Sequence, residues 1–481
     1  MSQAYYLVRV APEISLKSRP VEQRFCSTLR ANMQEAFSSV GAEVKIESSF
    51  SRFYVEVDSE YEYLFGRIFG ISSYSKLDFT SSPDFNTLKS SIIRYSDSVA
   101  GKSFAVRVKR AHIKEYTSLE AERELGAILR PYAAKVDLEN PDVIIYVDVT
   151  DKRALYFLNR VECLGGLPLG VEGKSLSLIS GGFDSSISSW KMYKRGVKLD
   201  FLFCNLAGSQ YERDVTLITK ELVSSWSYGY KPHLYILNFQ RVVADIQEKV
   251  YNPYAQIVLK RAFYRAGCML ADKLKLGSIV TGESIGQVSS QTLANLSVID
   301  RASSKIVIRP LITDDKVDIL RLSHKIGMYR FNEHVKEYCN ITKKHPVTIS
   351  SLRKIEEEES KLDSSLLNEA IDNVKQIKLD AFNVETLLQD YYFIDRIEDG
   401  DVVIDCRTLD QFKAWHYPTA VHMEFDQLAK SYSEFDKDKK YVIYCSYGVK
   451  SVLIAEKMQE VGFIAHSFQD GIRGIKKFIH D

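Results

Sequence analysis

Short apolar strand patterns alternate with amphipathic helical patterns over most of this sequence. Residues 1–60 follow a strand–helix–strand order that suits a small ferredoxin-like α+β unit, and residues 61–165 repeat that style. Residues 175–345 alternate buried strands with long helices, which predicts an α/β domain with a doubly wound parallel sheet. Residues 395–481 have the pattern of a smaller α/β unit. The charge-rich residues 350–390 keep helical spacing and favour a solvated helical linker.

Composition agrees with a chain of several globular domains. A sequence of 481 residues is too long for one hydrophobic core, and 45% hydrophobic with 26% charged residues is ordinary for a soluble protein. The N-terminal residues lack the basic and apolar segments of a signal peptide, and no apolar run reaches the length of a membrane span. We therefore expect a cytoplasmic protein that does not contact a membrane. A net charge of +1 excludes a uniformly basic nucleic-acid-binding surface but permits a local basic patch.

The motif with the clearest chemistry is the loop SGGFDSS at residues 180–186, between a predicted buried strand and a predicted helix. Its glycines leave backbone N–H groups unpaired at the positive end of the helix dipole, which makes an anion site of phosphate size. The lysine of a Walker A loop is absent, and Asp184 at the loop tip suits a magnesium ion on a pyrophosphate. A plain turn would explain a glycine doublet, but the complete motif favours adenylation, in which ATP is cleaved between its α- and β-phosphates. The predicted phosphate-binding residues are Ser180, Gly181, Gly182, Asp184 and Ser185.

Cys445 has the position of a nucleophile, because it directly follows the predicted strand 441–444 and precedes a loop and a helix. Backbone N–H groups, the helix dipole and Lys450 would lower its pKa and hold an anion on its sulfur. Ser451 stands where a cysteine-based phosphatase carries arginine, so a persulfide fits this loop better than a phosphate ester. Cys339, in a polar stretch, is a surface thiol by itself and a candidate resolving thiol when it is paired with Cys445.

The other cysteines carry no such prediction. Cys204 and Cys268 lie inside apolar elements and are typical of inert buried thiols. Cys26, Cys163 and Cys406 have no catalytic context. Since no Cys-x-x-Cys pair occurs, we expect no metal held by cysteines.

A basic segment of the second unit is a candidate nucleic-acid surface. Residues 101–110 contain four Lys or Arg residues and no acidic residue, a local charge of +4. Strand alternation places Arg107 and Lys109 on one face. A solvated edge strand protected by cations explains the same pattern equally well.

Four stretches resemble one family, the tRNA uridine 4-sulfurtransferases, also called 4-thiouridine synthases. The sequence PEISLK at residues 12–17 is similar to the opening of the family's ferredoxin-like domain. Residues 136–142 and the GGLP sequence at 165–168 resemble its THUMP domain, which is an RNA-binding module. The sequence TGESIGQVSSQTL at 281–293 resembles its adenylate-binding stretch. The similarity covers nearly the whole chain.

The C-terminal unit resembles a rhodanese domain, which only some members of this family carry. The matching sequences are DCR at residues 405–407, HYPTA at 416–420 and the loop that begins at Cys445. Ser446 departs from the pattern, because many rhodaneses have arginine after the cysteine. That departure bears on the preferred sulfur donor and leaves the persulfide role of Cys445 in place.

The resemblance implies an assignment for each part of the chain. The implied domains are ferredoxin-like at 1–60, THUMP at 61–165, PP-loop ATP-pyrophosphatase at 175–345, helical linker at 350–390 and rhodanese-like at 395–481. The implied additional nucleotide-binding residues are Leu178, Ile179, Lys260, Gly282 and Gln291. The basic strand becomes a tRNA contact, with candidate residues Arg107, Lys109, Arg110 and Lys114.

The resemblance also implies a reaction with ATP and Mg²⁺, in which a tRNA uridine, at position 8, is adenylated on O4 and then thiolated. Cys445 would receive persulfide sulfur from a cysteine desulfurase, and Cys339 would close a disulfide with Cys445, which a reductant resets. Asp184, Cys339 and Cys445 are the implied catalytic residues, and a sulfur-carrier protein for thiazole synthesis is a second candidate partner. Two alternatives remain open: another PP-loop adenylating enzyme, such as a 2-thiolating tRNA enzyme or an amide-forming ligase, and a non-catalytic sulfur relay.

Overall fold

The computed structural model divides the chain into two compact units, residues 1–30 with 37–166 and residues 31–36 with 167–481. In the part of the chain that it describes, no helix combines the length and the apolar character needed to cross a membrane. The described residues are 3–49, 52–111, 115–207, 209–333, 341, 346–382, 392–446 and 448–480.

The first unit contains two mixed layers of strands and helices. Its strands are β1 Gln3–Val10, β2 Lys45–Ser49, β3 Arg52–Asp58, β4 Ile71–Lys76, β5 Phe79–Ser81, β6 Ser103–Arg110, β7 Lys135–Val136, β8 Val143–Val149, β9 Ala154–Phe157 and β10 Val161–Glu162. Its α-helices are α1 Pro12–Ser15, α2 Arg19–Ser39, α3 Phe85–Ile92, α4 Ser96–Val99 and α5 Ser118–Leu129. The strands form two sheets, ordered β10-β4-β1-β3-β2 and β5-β9-β8-β6-β7.

The first sheet is antiparallel throughout and extends past residue 60, where the sequence placed the end of the ferredoxin-like domain. Strand β4 pairs with β1, so it belongs to this sheet and not to the next one. The sequence ISSYSK of β4 does not show the apolar pattern of a buried strand, because the buried residues Ser73 and Ser75 are polar. Their hydroxyls accept hydrogen bonds from Arg160 at 3.1 Å and Arg9 at 3.0 Å, which satisfies polar groups inside the sheet.

The second sheet places the predicted basic strand, β6, between β7 and β8, both parallel to it. Phe104, Val106 and Val108 alternate into a core shared with α3 and α5. Helix α5 begins with a capping box, in which the Thr117 side chain and the Glu120 side chain each bond the other's backbone N–H. The face of β6 with even-numbered residues is therefore fixed by packing, and the odd-numbered residues 107 and 109 lie on the other face.

The second unit begins with the doubly wound domain that the alternation predicted. Its strands are β11 Lys174–Leu178, β12 Lys198–Asn205, β13 His233–Asn238, β14 Ser278–Val280, β15 Ile306–Ile308 and β16 Lys375–Lys378. Its α-helices are α6 Phe183–Lys194, α7 Ser209–Trp226, α8 Gln240–Lys249, α9 Ala255–Lys273, α10 Leu293–Asp300, α11 Lys316–Lys325, α12 Tyr329–Asn332, α13 Leu352–Glu359 and α14 Ser365–Asp372. The strand order is β15-β14-β11-β12-β13-β16, and every pairing is parallel except β13 with β16.

Residues 350–390 differ from the solvated linker that we expected. Helices α13 and α14 pack on this domain, where Ile355 and Ile371 are almost completely buried, and β16 pairs with β13 at the sheet edge. The prediction of a solvated linker was wrong for these elements because one of the four consecutive glutamates faces the interior of the domain. Glu359 forms a paired hydrogen bond with the buried Arg261, at 2.7 and 2.9 Å.

The C-terminal domain of the second unit has a wholly parallel sheet. Its strands are β17 Phe393–Ile394, β18 Val402–Asp405, β19 Val421–His422, β20 Lys440–Tyr444 and β21 Ile464–Phe468, and its α-helices are α15 Leu409–Ala414, α16 Phe425–Ser431, α17 Val449–Glu460 and α18 Ile472–His480. The strand order is β17-β21-β20-β18-β19. Helices cover both faces of this sheet, as parallel sheets require.

Candidate functional site

The loop at residues 180–186 lies between β11 and α6, in the strand–loop–helix order that the sequence predicted. Gly181 has a φ of 78°, which a residue with a side chain adopts at a cost, and it turns the chain from strand to helix. The backbone N–H of Ser180 donates to Ser185 Oγ at 3.2 Å, and the Tyr211 hydroxyl donates to the Ser180 carbonyl at 3.0 Å. These bonds fix the loop from within and from α7.

A cavity of about 520 Å³ opens beside this loop, which is within the usual range for small-ligand sites. Leu202 and Phe203 of β12 give it an apolar wall. Gly181 and Gly182, which were also predicted to bind phosphate, are not among its lining residues. The predicted nucleotide-binding residues that the structure brings together around it are Leu178, Ile179, Ser180, Asp184, Ser185, Lys260, Gly282 and Gln291.

Gly282, in the loop after β14, allows a close approach of two backbones. A Cβ at this position would lie 2.5 Å from the carbonyl carbon of Asp184 and 2.7 Å from the amide nitrogen of Ser185. The loop therefore packs directly on the first turn of α6, as expected where the carboxyl ends of neighbouring parallel strands meet. Gln291 closes this loop, because its Oε1 accepts a hydrogen bond from the Ser284 N–H at 3.2 Å.

Asp184 has two hydrogen-bond partners that are not among the predicted site residues. Lys316 Nζ donates to Asp184 Oδ1 at 2.8 Å, and Gln287 Nε2 donates to Asp184 Oδ2 at 2.7 Å. Lys316 begins α11 and stands 132 residues from Asp184, so no local motif could have indicated it. The lysine that the loop itself lacks is thus supplied from another helix.

A buried carboxylate, Glu283, organises the cations on another wall of the cavity. It lies 3.1 Å from Lys260 Nζ and 3.0 Å from Arg309 Nε, and it also accepts a hydrogen bond from the Tyr264 hydroxyl. Burial alone would raise the pKa of Glu283, but Lys260, the Tyr264 hydroxyl and Arg309 hold that pKa at about 2. The Lys260 ammonium is consequently fixed at the cavity wall and does not lie on a solvated helix face.

The second reactive position is Cys445, which follows β20 at the start of the loop that leads into α17. Only 3% of the residue is exposed. Ser451 Oγ, one turn into α17, donates to Cys445 Sγ at 3.4 Å. Burial alone would raise the pKa of Cys445, but hydrogen bonds from the Cys406 thiol and from the side chain and backbone of Ser451 lower the pKa to about 6. The lowered pKa favours the thiolate form of Cys445.

The structure gives new roles to residues around this loop. Ser451, whose presence in the sequence only spoke against phosphatase chemistry, contacts the sulfur of Cys445. Cys406, which carries no catalytic prediction, lies beside Cys445 at the end of the neighbouring strand. Lys450 Nζ lies 3.9 Å from Glu221 of α7, so it shares its charge with the nucleotide domain. Cys339, the predicted resolving thiol, lies outside the described residues.

The rhodanese-like and nucleotide domains contact each other through ion pairs and stacked rings. Arg213 of α7 lies 2.7 Å from Glu456 of α17. Phe331 of α12 stacks on Phe425 of α16, with ring centroids 5.4 Å apart and planes 7° from parallel. The next residue, Asn332, donates to the Gly181 carbonyl at 2.7 Å. One short helix thus contacts both the nucleotide loop and the rhodanese-like domain.

The predicted RNA contacts lie on β6 of the first unit. Lys109 is exposed, and Arg107 and Arg110 are half-buried. Arg107 also donates to the Leu138 carbonyl at 2.5 Å, which holds its guanidinium in place. Lys114 lies outside the described residues.

Known proteins match this chain over nearly its whole length, and family models match four successive parts of it. The curated tRNA sulfurtransferase of Shewanella halifaxensis is 35% identical over 95% of this chain and 98% of its own length, and that of Shewanella woodyi is equally similar. The chain belongs to the tRNA sulfurtransferase family. The matching family models are the ThiI ferredoxin-like domain at 5–75, the THUMP domain at 86–158, the Thiamine biosynthesis protein (ThiI) at 170–364 and the Rhodanese-like domain at 390–478.

Membership of the tRNA sulfurtransferase family confirms the resemblance found in the sequence, the fold class and the expectation of an enzyme. A solved structure agrees: a 4-thiouridine synthetase in complex with RNA and bound ATP is 29% identical, with a TM-score of 0.66. The match covers 78% of this chain and 99% of that one.

Proposed function

We propose that this tRNA sulfurtransferase forms 4-thiouridine in an ATP-dependent reaction, at uridine 8 of tRNA. The observation that carries the proposal is that one unit combines a glycine-rich loop beside a ligand-sized cavity with a buried Cys445 whose pKa is lowered. The similar 4-thiouridine synthetase, which holds RNA and ATP, supports the same pair of substrates.

The cavity beside residues 180–186 is the proposed ATP site. Its apolar wall at Leu178 and Phe203 suits an adenine base, while the N–H groups of the loop suit phosphate oxygens. The ammonium groups of Lys260 and Lys316 would neutralise the negative charge of the phosphates. The site therefore supplies from three elements what a Walker A loop supplies from one.

Asp184 is the residue that we propose to hold Mg²⁺. This ion prefers oxygen ligands and usually takes one or two carboxylates together with substrate phosphates. The remaining ligands of the ion would come from the phosphates of the bound nucleotide. When bound, Mg²⁺ would stabilise charge on the departing pyrophosphate. Lys316 and Gln287, now bonded to Asp184, would be freed to contact the phosphates.

In the proposed reaction, uridine O4 attacks the α-phosphorus of ATP and pyrophosphate leaves. Cys445, loaded by a cysteine desulfurase, carries the sulfur as a persulfide. The terminal sulfur, directly or as released sulfide, replaces AMP at C4, and Cys339 closes a disulfide with Cys445 that a reductant opens again. Delivery of the same sulfur to a carrier protein for thiazole synthesis is a second proposed use of the persulfide.

The first unit is the proposed tRNA-binding part. Backbone phosphates would be bound by positive charge, and the folded RNA would be recognised by its shape. The proposed phosphate contacts are Arg107, Lys109, Arg110 and Lys114.

The decisive test is Asp184→Asn, compared with Asp318→Asn on the exposed side of α11 as a matched control. We expect Asp184→Asn to reduce tRNA-dependent AMP release by about 10²-fold or more, since it removes the anion that would hold the metal, with nearly unchanged tRNA affinity. The control variant should keep both. AMP release at the wild-type rate in Asp184→Asn would contradict the assignment of the loop. A wild-type protein that accepts persulfide sulfur but never forms AMP would instead be a sulfur relay.

A further inference from the structure

Two cysteines occupy equivalent positions at the ends of neighbouring strands in the rhodanese-like domain. Strands β18 and β20 are parallel partners, and Asp405 pairs with Tyr444 in their register. Cys406 follows Asp405 directly, as Cys445 follows Tyr444. The Cys406 N–H also donates to the Tyr444 carbonyl at 3.0 Å, so the pairing continues to the cysteines. Neighbouring strands lie about 4.8 Å apart, which is within the Cα separation of disulfide-bonded cysteines.

Both sulfur atoms also lie on the same face of the sheet. Cys406 and Cys445 pack in one cluster with Ile404 and Ile443, which precede them by two residues on the same strands. The residues that alternate with these along the two strands, Val403, Val442 and Tyr444, pack in a separate cluster on the other face of the sheet. Burial and the neighbouring Cys445 side chain raise the pKa of the Cys406 thiol, and 2% of Cys406 and 3% of Cys445 are exposed. Cys406 is thus held beside Cys445 and away from water.

We propose that Cys406 is a resolving thiol for a persulfide on Cys445, an inference that rests on the persulfide chemistry of the proposed function. The Cys406 sulfur attacks the inner sulfur of the persulfide, and a Cys406–Cys445 bond forms as the sulfur–sulfur bond of the persulfide breaks. The outer sulfur leaves as hydrosulfide with the proton of the Cys406 thiol. Cys406 is oxidised, the outer sulfur is reduced, and no external oxidant is needed.

The arrangement brings the two sulfurs together without any further motion. Cys406 lies next to Cys445 within one sheet, so no domain has to move. Cys339 stands 106 positions earlier in the sequence (445 − 339), outside the rhodanese-like domain. Cys406 therefore provides a route that releases sulfide inside the rhodanese-like domain whenever the persulfide is not used.

The test starts from the full-length protein, reduced and then loaded by a cysteine desulfurase with cysteine, with no reductant afterwards. Released sulfide is measured over time, and intact and peptide mass spectrometry reports the extra sulfur atom and the disulfide. The variants are Cys406→Ser, which keeps a hydrogen-bond donor beside Cys445 but cannot form a disulfide, and Cys406→Ala, which removes both. Cys163→Ser, a thiol of the first unit, is the matched control.

We expect the wild type and Cys163→Ser to release one sulfide for each Cys445 persulfide and to end with a Cys406–Cys445 disulfide. Cys406→Ser should retain the extra sulfur atom on Cys445 and lose sulfide release, which also shows that the variant is folded and loaded. Cys406→Ala should load more slowly at neutral pH because Cys445 loses a donor. A stable persulfide in the wild type, or a disulfide that joins Cys445 only to Cys339, would overturn this proposal. If no variant gains sulfur on Cys445, the proposed function itself is wrong.

Discussion

Replacement of Glu359 by Gln should destabilise the nucleotide domain, because Glu359 neutralises an arginine that is almost completely buried. Arg261 is 1% exposed and donates to both carboxylate oxygens of Glu359, and Arg265 donates to the same two oxygens at 2.5 and 2.7 Å. Burial raises the pKa of Glu359, but the two arginines lower it below its ordinary value, so the group is anionic. Removal of one partner of a buried ion pair costs about 3–5 kcal/mol. The other carboxylate near Arg261, that of Glu356, is 3.9 Å away and largely exposed, so it compensates this charge only weakly.

Urea unfolding followed by tryptophan fluorescence measures this effect, because Trp190 and Trp226 lie in edge-to-face contact inside the nucleotide domain. With a urea dependence of about 3 kcal/mol per molar, the destabilisation should move the midpoint down by about 1–1.7 M. The matched control is Glu357→Gln on the same helix. Glu357 pairs with Arg353 at 3.7 Å with both side chains largely exposed, and such a pair contributes only about 0–1 kcal/mol.

The difference between the midpoint shifts of Glu359→Gln and Glu357→Gln tests whether the buried ion pair stabilises the domain. If Glu359→Gln shifts the midpoint no more than Glu357→Gln does, α13 is not an integral part of the domain. A large shift for both variants would indicate that helix α13 is sensitive to removal of any charge, and the argument from the buried arginine would fail.

Three further predictions concern function. Replacing Arg107, Lys109 and Arg110 by Ala should weaken tRNA binding and reduce its salt dependence by about one unit of slope for each phosphate that is no longer neutralised; an unchanged slope in binding assays would mean that these cations do not contact RNA phosphates. Alkylation of Cys445 by a small reagent should accelerate as pH rises through about 6, because the lowered pKa makes the thiolate available above that value, whereas an inflection near the usual pKa would contradict the hydrogen-bond network. Cys445→Ala should abolish persulfide loading and thiolation together, while Cys339→Ala should still accept sulfur but form thiolated tRNA slowly; thiolation at the wild-type rate in nucleoside mass spectrometry would remove Cys339 from the mechanism.

Local sequence patterns were sufficient to predict the elements whose geometry depends on a short stretch of chain. The loop at 180–186 and the loop after Cys445 each combine a strand, a turn and a helix start, so their geometry follows from neighbouring residues. The same holds for the alternation of β6, which correctly placed Arg107 and Lys109 on one face. Both loops depend on backbone N–H groups and a helix terminus, which do not require distant partners.

Long-range contacts could not be predicted in this way. Lys316 donates to Asp184 although 132 residues separate the two. The partners of Glu283 lie on α9 and at Arg309, the residue that follows β15. The inward position of Glu359 depends on Arg261, 98 residues earlier. For Cys406 a signal did exist, because it directly follows an apolar strand just as Cys445 does. Only knowledge that β18 and β20 are neighbours turns that shared offset into a contact.

Helix α12 contacts both the nucleotide loop and the rhodanese-like domain. Asn332 donates to the Gly181 carbonyl, and the preceding residue, Phe331, stacks on Phe425 of that domain. We therefore expect a ligand that shifts the nucleotide loop also to shift the docking of the rhodanese-like domain. Thermodynamic linkage makes such an effect reciprocal: docking changes the affinity for the ligand by the same factor. Affinities measured on either half alone would omit this shared free energy.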